Sequence, residues 1–189
     1  MLNEGIIRGV EFATVPLTGW QQLMRAIEHD ESFENATRQL MDDYARFANK
    51  DYNPEVDKRV STEMLKEYTL HVEQEKQPEF FELIYSHFNG DIEAFVAHIF
   101  DASLFGNSVN YQRFASDPAS FLSNTDNLEM LKNDPLFHFA LSVAQEARLL
   151  QAQLAEYNTP FSVARKTYLE GILAMDGPYT HFPDANLTI

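Results

Sequence analysis

The stretch SFENATRQLMDDYARFA, residues 32–48, decides the fold class. Its apolar side chains recur every three or four positions, a spacing that places them on one stripe of an α-helix. Ser32 stands where an N-cap is expected. The stripe comprises Phe33, Ala36, Thr37, Leu40, Met41, Tyr44, Phe47 and Ala48. We therefore predict a helix that packs on a core along one side.

The same period continues in the next three segments. Helix starts are predicted at Pro54, near Pro78 and after Asp91, because proline in the first turn and aspartate at the N-cap both favour a helix start. Asn89 and Gly90 end the helix that begins near Pro78. The predicted buried positions are Val56, Val60, Met64, Tyr68 and Val72, then Phe81, Ile84, Tyr85 and Phe88, then Phe95, Val96, Ile99 and Phe100.

The second half contains short and long helical patterns. Turn-forming residues break up the chain after Gly106, so we predict only short helices, over 111–116 and 118–123. A long helix is predicted from Asp134–Pro135 to about Tyr157, and a separate one from Thr159–Pro160 to Met175, because proline interrupts the hydrogen-bond ladder. Their predicted inner positions are Leu136, Phe139, Ala140, Val143, Ala147, Leu150 and Leu154, then Phe161, Ala164, Tyr168, Ile172 and Met175.

The two ends of the chain differ in pattern. Residues 2–14 also fit a helix, whereas Pro183–Asn186 is turn-forming and Leu187–Ile189 favours a strand. We predict an all-α, irregular helical bundle over residues 1–180, followed by an extended tail over 181–189.

Composition and charge exclude several classes of partner. The chain has 189 residues, of which 44% are hydrophobic, enough for a folded core. The formal net charge of −15 repels phosphate backbones and anionic lipid, so neither nucleic acid nor membrane is an expected partner. The absence of cysteine excludes disulfides and thiolate metal sites. The first residues do not resemble a signal peptide, so the signal of an exported parent would lie outside this chain.

Histidines do not form a recognisable metal motif. No His-x-His or His-Glu-x-x-His pair occurs, so no helix face presents two imidazole ligands. His87 and His98 lie on neighbouring predicted helices and could meet in space. The favoured interpretation is that these histidines are unrelated to one another and lie at the surface or are partly buried. The six histidines are His29, His71, His87, His98, His138 and His181.

The carboxylates are interpreted as solvated or capping groups. Asp42 and Asp43 are adjacent on a helix and diverge by about 100°, so a solvated acidic face is favoured over a shared substrate site. The segment Asp51–Glu55 superficially resembles a calcium loop. It lacks the central glycine and the distal bidentate glutamate of such a loop, so calcium is not expected.

Ser108 is the one candidate nucleophile. Gly106–Asn107–Ser108 resembles the nucleophile segment of some serine peptidases, but Val109 follows where a glycine turn would be needed for an oxyanion hole. A loop that caps the next helix is the favoured interpretation. No phosphate-binding or dinucleotide motif occurs, and we expect no catalytic, cofactor-binding or metal-binding residue in this chain.

Five segments carry a resemblance to a known family. They are Asp51–Val60, with the pattern Asp-Tyr-x-x-x-x-Asp-Lys-Arg-Val, Asn89–Phe105, Leu131–Phe137, with the pattern Leu-x-x-Asp-Pro-x-Phe, Tyr168–Met175, and Phe182–Thr188. Their patterns and order resemble the dipeptidyl-peptidase 7 and dipeptidyl-peptidase 11 family of bacterial serine peptidases. Leu187 stands where that family usually has serine.

The resemblance implies an exported enzyme, periplasmic or extracellular, with a chymotrypsin-like double β-barrel and a Ser-His-Asp triad. In such enzymes an inserted helical domain covers the active-site cleft, and dipeptides are removed from free N-termini. By the resemblance the triad lies outside this chain. The implied partners are the catalytic β-barrel domain of the parent chain and a peptide substrate, and residues 181–189 would enter that barrel.

Three functions compete at this point. The first is a helical cap domain of a serine-type dipeptidyl-peptidase, with no activity of the chain alone. The second is a free-standing acidic helical interaction domain, and the third is a hydrolase that uses Ser108. We also expect weak homodimers through apolar surfaces at Leu2–Val15 and Phe182–Ile189.

Overall fold

The structure, a computed structural model, describes residues 6–29, 31–48 and 52–176. These residues form helices, 3₁₀ turns and loops and contain no strand, which confirms the predicted all-α class. Within the same residues, no helix is both long and apolar enough to cross a membrane. The helices are α1 (Thr18–Glu28), α2 (Glu34–Phe47), α3 (Pro54–His71), α4 (Phe80–His87), α5 (Ile92–Ala102), α6 (Ser108–Ser116), α7 (Pro118–Ser123), α8 (Thr125–Lys132) and α9 (Pro135–Asp176), with 3₁₀ turns at Glu11–Thr14 and Gln74–Lys76.

The chain divides into two compact units, Met1–Ala147 and Arg148–Ile189. Helix α9 begins in the first unit and ends in the second. The predicted division between residues 180 and 181 lies outside the described residues, as does the predicted strand-like tail, and both stay predictions. The same holds for the association surface expected at Phe182–Ile189.

Gly19, the second residue of α1, allows α1 and α2 to approach each other at backbone level. A Cβ atom at this position would lie 2.4 Å from both the backbone nitrogen and the Cα of Leu40. The Gly19 N–H also donates to Oδ2 of Asp43 on α2, at 2.7 Å. Next to it, the Trp20 indole N–H donates to the backbone oxygen of Leu131 at 2.8 Å, which ties α1 to the end of α8.

Aromatic rings make up much of the core of the first unit. Phe12 lies against Phe100 and Phe139, with ring centroids 5.5 and 4.8 Å apart. The Phe139 ring also contacts Phe80, at 4.5 Å. Edge-to-face and tilted pairs of this kind add to the stabilisation that burial itself provides. They join the 3₁₀ turn at Glu11–Thr14 to α4, α5 and the start of α9.

The predicted helix over residues 2–14 is wrong in its second half. Residues 6–9 are helical, Val10 interrupts the helix, and Glu11–Thr14 form a 3₁₀ turn. The backbone N–H groups of Glu11 and Phe12 donate to the carboxylate of Asp57 on α3, at 2.9 and 3.1 Å. Because these two donors are used in a long-range contact, they do not extend an α-helix.

Helix α3 starts at Pro54 as predicted, but its buried face is not the predicted one. The buried residues are Asp57, Ser61, Leu65 and Tyr68, whereas Val56 is 55% exposed and Val60 is also exposed. Of the predicted stripe only Tyr68 is buried, while Met64 and Val72 are half-buried. The helix is turned by about one position, which lets the Asp57 carboxylate reach the N–H groups of residues 11 and 12.

Helices α2, α4, α5 and α7 agree better with the sequence analysis. In α5 all four predicted positions are buried, and α7 has the predicted bounds. In α4 the predicted positions Phe81 and Ile84 are buried, but Phe80 takes the place of Tyr85, which is exposed. In α2 the predicted positions that are buried are Ala36, Thr37, Leu40 and Phe47, and the N-cap residue is Phe33 rather than Ser32.

Helix α9 runs without interruption through Pro160, so the predicted break at Thr159–Pro160 is wrong. A proline inside a helix removes one hydrogen bond and crowds the preceding turn, which bends or weakens a helix without always ending it. The predicted inner positions Leu136, Phe139, Ala140 and Val143 are buried. The inner positions predicted for the second unit are not buried. Leu154, Phe161, Tyr168 and Met175 are all exposed.

Candidate functional site

The junction of α4 and α5 is a tight reversal. Asn89 and Gly90 both have left-handed backbone conformations, with φ of 53° and 81°, which asparagine and glycine tolerate best. The Gly90 N–H donates to the oxygen of Ile84 at 3.0 Å, which closes the end of α4. The Asp91 side chain then accepts the N–H of Ala94 at 2.9 Å and starts α5. The reversal brings the end of α4 against α5.

A groove of about 900 Å³ lies between α4, α5 and the first turns of α9. Its floor is aromatic, because Phe80, Phe95 and Phe139 are buried beneath it. A volume of this size is within the range of ligand sites, roughly 300–1,000 Å³. The polar side chains around it are those of Glu79, Glu82, Ser86, His87, His98, Asn133, His138, Ser142 and Gln145.

His87 and His98, expected on neighbouring helices, both line this groove. Nδ1 of His87 is 2.8 Å from the hydroxyl of Ser86, and the ring of His98 lies 5.5 Å from that of Phe88. Both histidines are exposed. Across the described parts of the chain, no group of three His, Asp, Glu or Cys side chains is arranged to hold a metal ion. The contacts of the two imidazoles therefore differ, with Ser86 beside His87 and Phe88 beside His98.

His138, the third histidine at the groove, lies at the junction of α8 and α9. Its Nε2 is 2.6 Å from the backbone oxygen of Lys132, and its ring meets that of Trp20 edge to face at 5.3 Å. These contacts hold the ring against the helix junction. The arrangement favours a structural role for His138.

The interpretation of Asp42 and Asp43 as one solvated face is wrong for Asp43. Asp42 is exposed, but Asp43 is completely buried. Its carboxylate accepts from the Gly19 N–H and from the side-chain amide of Gln39, at 2.7 and 2.9 Å, and forms an ion pair with Arg46. Asp43 therefore holds α1 against α2. Its position on the apolar side of α2, three residues after Leu40, is the signal that could have revealed it.

Ser108 is the first residue of α6 and is exposed. The cap is Asn107, whose side-chain oxygen accepts the N–H groups of Val109 and Asn110 at 2.9 and 3.4 Å. Helix α6 therefore begins at 108, earlier than the predicted 111. The capping interpretation of this loop is confirmed.

The segment that resembled a calcium loop starts a helix. The Asn53 side chain accepts the N–H groups of Glu55 and Val56 at 3.1 and 3.2 Å, and the Tyr52 hydroxyl donates to Asp57 at 3.3 Å. Asp51 lies outside the described residues. The side-chain oxygens of Asn53 and Asp57 are thus engaged with backbone and hydroxyl donors.

The sequence as a whole matches a family model described as Peptidase S46, over residues 2–189.

The chain belongs to the peptidase S46 family.

Named relatives of this S46 chain are dipeptidyl-peptidases. An Asp/Glu-specific dipeptidyl-peptidase of Porphyromonas gingivalis is 40% identical over 190 residues, and dipeptidyl-peptidase 7 of Phocaeicola vulgatus is 31% identical over 183 residues. The matches cover 100% and 96% of this chain but only 25% and 24% of the relatives. The chain therefore spans about a quarter of the length of these relatives.

Solved structures of S46 proteins resemble the fold. Porphyromonas endodontalis DPP11 in complex with the dipeptide Arg-Glu superimposes with a TM-score of 0.69 at 30% identity, over 99% of this chain and 26% of the other. The same protein in complex with Arg-Asp gives a TM-score of 0.68, also at 30% identity. These similarities confirm the family resemblance drawn from the sequence motifs.

Two of those motifs contain an aspartate that the S46 chain buries. Asp57 belongs to the segment Asp51–Val60, and Asp134 to Leu131–Phe137. Asp134 accepts the N–H of Leu104 at 2.7 Å, and those of Leu136 and Phe137, in the first turn of α9, at 3.0 and 3.3 Å. Each carboxylate therefore joins a helix start to a distant segment. Both residues are motif positions in the sequence, and their burial was not predicted from it.

Burial raises the pKa of Asp57 and of Asp134 to about 6 in the S46 fold, although the backbone N–H donors partly oppose this rise. In the unfolded chain an aspartate has its ordinary pKa of about 4. Between these values the folded protein holds more protons than the unfolded one. The contribution of Asp57 and Asp134 to the free energy of unfolding is therefore fully present below about pH 4, and it is lost as the pH rises through 6.

We expect the S46 chain to lose stability between pH 5 and pH 7, by about 1 kcal/mol for Asp134 alone. Urea denaturation followed by circular dichroism at both pH values measures this change. An Asp134→Asn variant, which has no proton to lose, is the control. Equal pH dependence of the variant and the unaltered chain would contradict the prediction.

Proposed function

We propose that this chain is the helical cap domain of a serine-type dipeptidyl-peptidase, and that the parent removes dipeptides from the N-termini of peptides. The match to the S46 family over residues 2–189 carries the proposal. The length of the relatives supports it, since a chain that spans a quarter of them corresponds to one part of a larger enzyme. In this proposal residues 1–180 form the cap, residues 181–189 lead into a catalytic β-barrel, and the parent is exported.

A cap of this kind would act by shape and by exclusion of water. A domain across one end of a cleft leaves room only for a chain terminus, which limits cleavage to the end of a peptide. Closure over the reacting bond also removes water and strengthens the interactions that stabilise charge in the transition state.

The charge of the chain suits a substrate with a free amine. Residues 1–147 contain 25 acidic and 11 basic side chains, a net charge of −14. A surface of one sign attracts an oppositely charged group over a distance and increases the rate of encounter. The ammonium group of a peptide N-terminus is such a group.

The alternative of a free-standing acidic interaction domain is not favoured, because the S46 relatives are about four times as long as this chain. Catalysis by Ser108 is also not favoured. The serine is exposed at a helix start, and the flanking Asn107 has its side chain engaged as a cap.

The proposed cap role is tested on the full-length parent. Its release of dipeptides from peptides that begin with Arg-Glu or Arg-Asp is compared with that of a variant in which these 189 residues are replaced by a short Gly-Ser linker. We expect the full-length enzyme to cleave peptides with a free amine and to reject N-acetylated ones. The linker variant should lose that discrimination together with most of its dipeptide release. Unchanged activity and selectivity of a folded linker variant would contradict the cap role.

Ser108→Ala is expected to leave the parent's dipeptide release within about twofold of the unaltered enzyme, because an exposed surface residue contributes little to stability or to a distant site. The matched variant Asn107→Ala should lower the free energy of unfolding by about 1 kcal/mol, since it removes the cap of α6. Activity assays and urea denaturation measure the two effects. A loss of activity by orders of magnitude in Ser108→Ala alone would revive the third hypothesis.

A further inference from the structure

The part of α9 in the second unit exposes large apolar side chains along its whole length. Phe161 is 67% exposed, Tyr168 is 68% exposed and Met175 is 86% exposed. Surface hydrophobic residues are ordinary when they are scattered, but a continuous apolar surface marks an interaction site. The large apolar residues exposed here are Leu149, Leu154, Tyr157, Phe161, Val163, Tyr168, Leu169, Leu173 and Met175.

Most of these side chains fall on one stripe. A spacing that alternates between four and three residues keeps positions on one side of a helix. Lys166 and Glu170 lie on the opposite side of the helix, where they form an ion pair with a distance of 3.8 Å. The stripe runs along about 40 Å of helix. We call it the α9 stripe, and it consists of Leu150, Leu154, Tyr157, Phe161, Ala164, Tyr168, Gly171 and Met175.

The charge of this segment differs from that of the rest of the chain. Residues 148–176 contain three acidic and three basic side chains, so the segment is neutral, whereas residues 1–147 carry a net charge of −14. The centres of protein interfaces are depleted of charged residues and enriched in aromatic residues and methionine. The α9 stripe, which has three aromatic residues and a methionine, has the composition of such a centre.

The composition of the α9 stripe disfavours pairing with a second copy. Two-stranded coiled coils place leucine or β-branched residues at the seam. Here the middle of the stripe alternates large rings with small residues: Tyr157 and Phe161, then Ala164, Tyr168 and Gly171. No side chain lies within 4 Å of where a Gly171 Cβ would be. Such a surface of ridges and gaps fits an irregular apolar face rather than an identical helix.

The relatives indicate which partner is available. About three quarters of the length of the matched S46 proteins lies outside the part that this chain covers. We propose that the α9 stripe is a docking surface for another segment of the same polypeptide, apolar in character and outside residues 1–189. This inference rests on the proposed function only in taking the chain as part of a longer S46 protein.

Hydroxyl-radical footprinting with mass spectrometry tests the proposal, with the full-length protein and the 189-residue chain compared at equal concentration. We expect Tyr157, Phe161, Tyr168 and Met175 to be oxidised several times more slowly in the full-length protein. Val163, which is 60% exposed and lies about 200° around the helix from Phe161, should react equally in both. The measurement needs no peptidase activity.

A pair of substitutions in the full-length protein provides the matched control. Phe161→Asp should restore the oxidation of Tyr157 and Tyr168 to the rate in the 189-residue chain, whereas Val163→Asp should not. Equal oxidation of the stripe in both proteins would overturn the proposal. So would slow oxidation already present in the 189-residue chain, or protection that appears only as the protein concentration is raised. Protection of the stripe without any dipeptide release would contradict the proposed function and leave this inference intact.

Discussion

Gly19→Ala is expected to lower the free energy of unfolding by about 3 kcal/mol or more. The added methyl group would lie 2.4 Å from the Leu40 backbone, where no side chain can turn aside to make room. Overpacking of a core typically costs about 1–3 kcal/mol, and a clash with backbone belongs at the upper end or beyond. The two helices would have to separate, which would also weaken the hydrogen bond from Gly19 to Asp43. Urea denaturation followed by circular dichroism measures the loss.

Gly171→Ala is the matched control, because it makes the same change in a helix where nothing lies within 4 Å. Alanine is favoured over glycine in helices by about 1 kcal/mol, so this variant should be as stable as the unaltered chain or slightly more so. Equal stability of the two variants would mean that α1 and α2 are not in backbone contact.

Asp134→Ala is expected to have a similarly large effect, a loss of about 3–5 kcal/mol at pH 7. The substitution would leave the backbone N–H groups of Leu104, Leu136 and Phe137 without their acceptor. A buried donor left unsatisfied costs about 1–3 kcal/mol, and here the loss includes both a helix cap and a contact across 30 residues of sequence.

Asp91→Ala separates the cap from the long-range contact. Asp91 also caps a helix, through the N–H of Ala94, but it is exposed. An exposed cap is worth about 1 kcal/mol, so this variant should lose much less stability than Asp134→Ala. If the two variants were equally stable, Asp134 would be acting only as a helix cap.

Local signals were sufficient for several helices. Proline and Asn53 mark the start of α3, and Asp91 marks that of α5, because caps and first-turn prolines act on their own helix. The helices α1 and α8 were missed. In the sequence, Gly19 in the first turn of α1 and Asn124 before α8 both suggest turns. In the structure, Gly19 allows a close contact between helices, and Asn124 caps α8. These roles depend on the fold.

The buried carboxylates show why part of the fold could not be predicted. Asp57 and Asp43 face the interior because N–H groups distant in sequence satisfy them, and no local pattern records such a partner. The prediction of the apolar stripe of α3 was wrong for this reason. Asp57 and Ser61 lie on the buried face of the helix, where Val56 and Val60 were predicted.

The sequence indicated that two of the residues lining the groove could lie near each other, but not the groove itself. His87 and His98 were expected on neighbouring helices, and the tight reversal at Asn89–Gly90 brings both to one groove. Its third side comes from the start of α9, some forty residues later in the chain. Which distant helix closes a groove depends on packing and cannot be inferred from periodicity alone.

The buried aspartates also affect how long the folded state persists. The carboxylates of Asp43, Asp57 and Asp134 accept N–H groups 24, 46 and 30 positions away in sequence. Such a contact requires both segments to be in place and water to be excluded, so we expect it to form after the folding transition state. Interactions made late mainly slow unfolding and barely change the rate of folding. These three side chains would therefore determine the lifetime of the native state more than the speed at which it is reached.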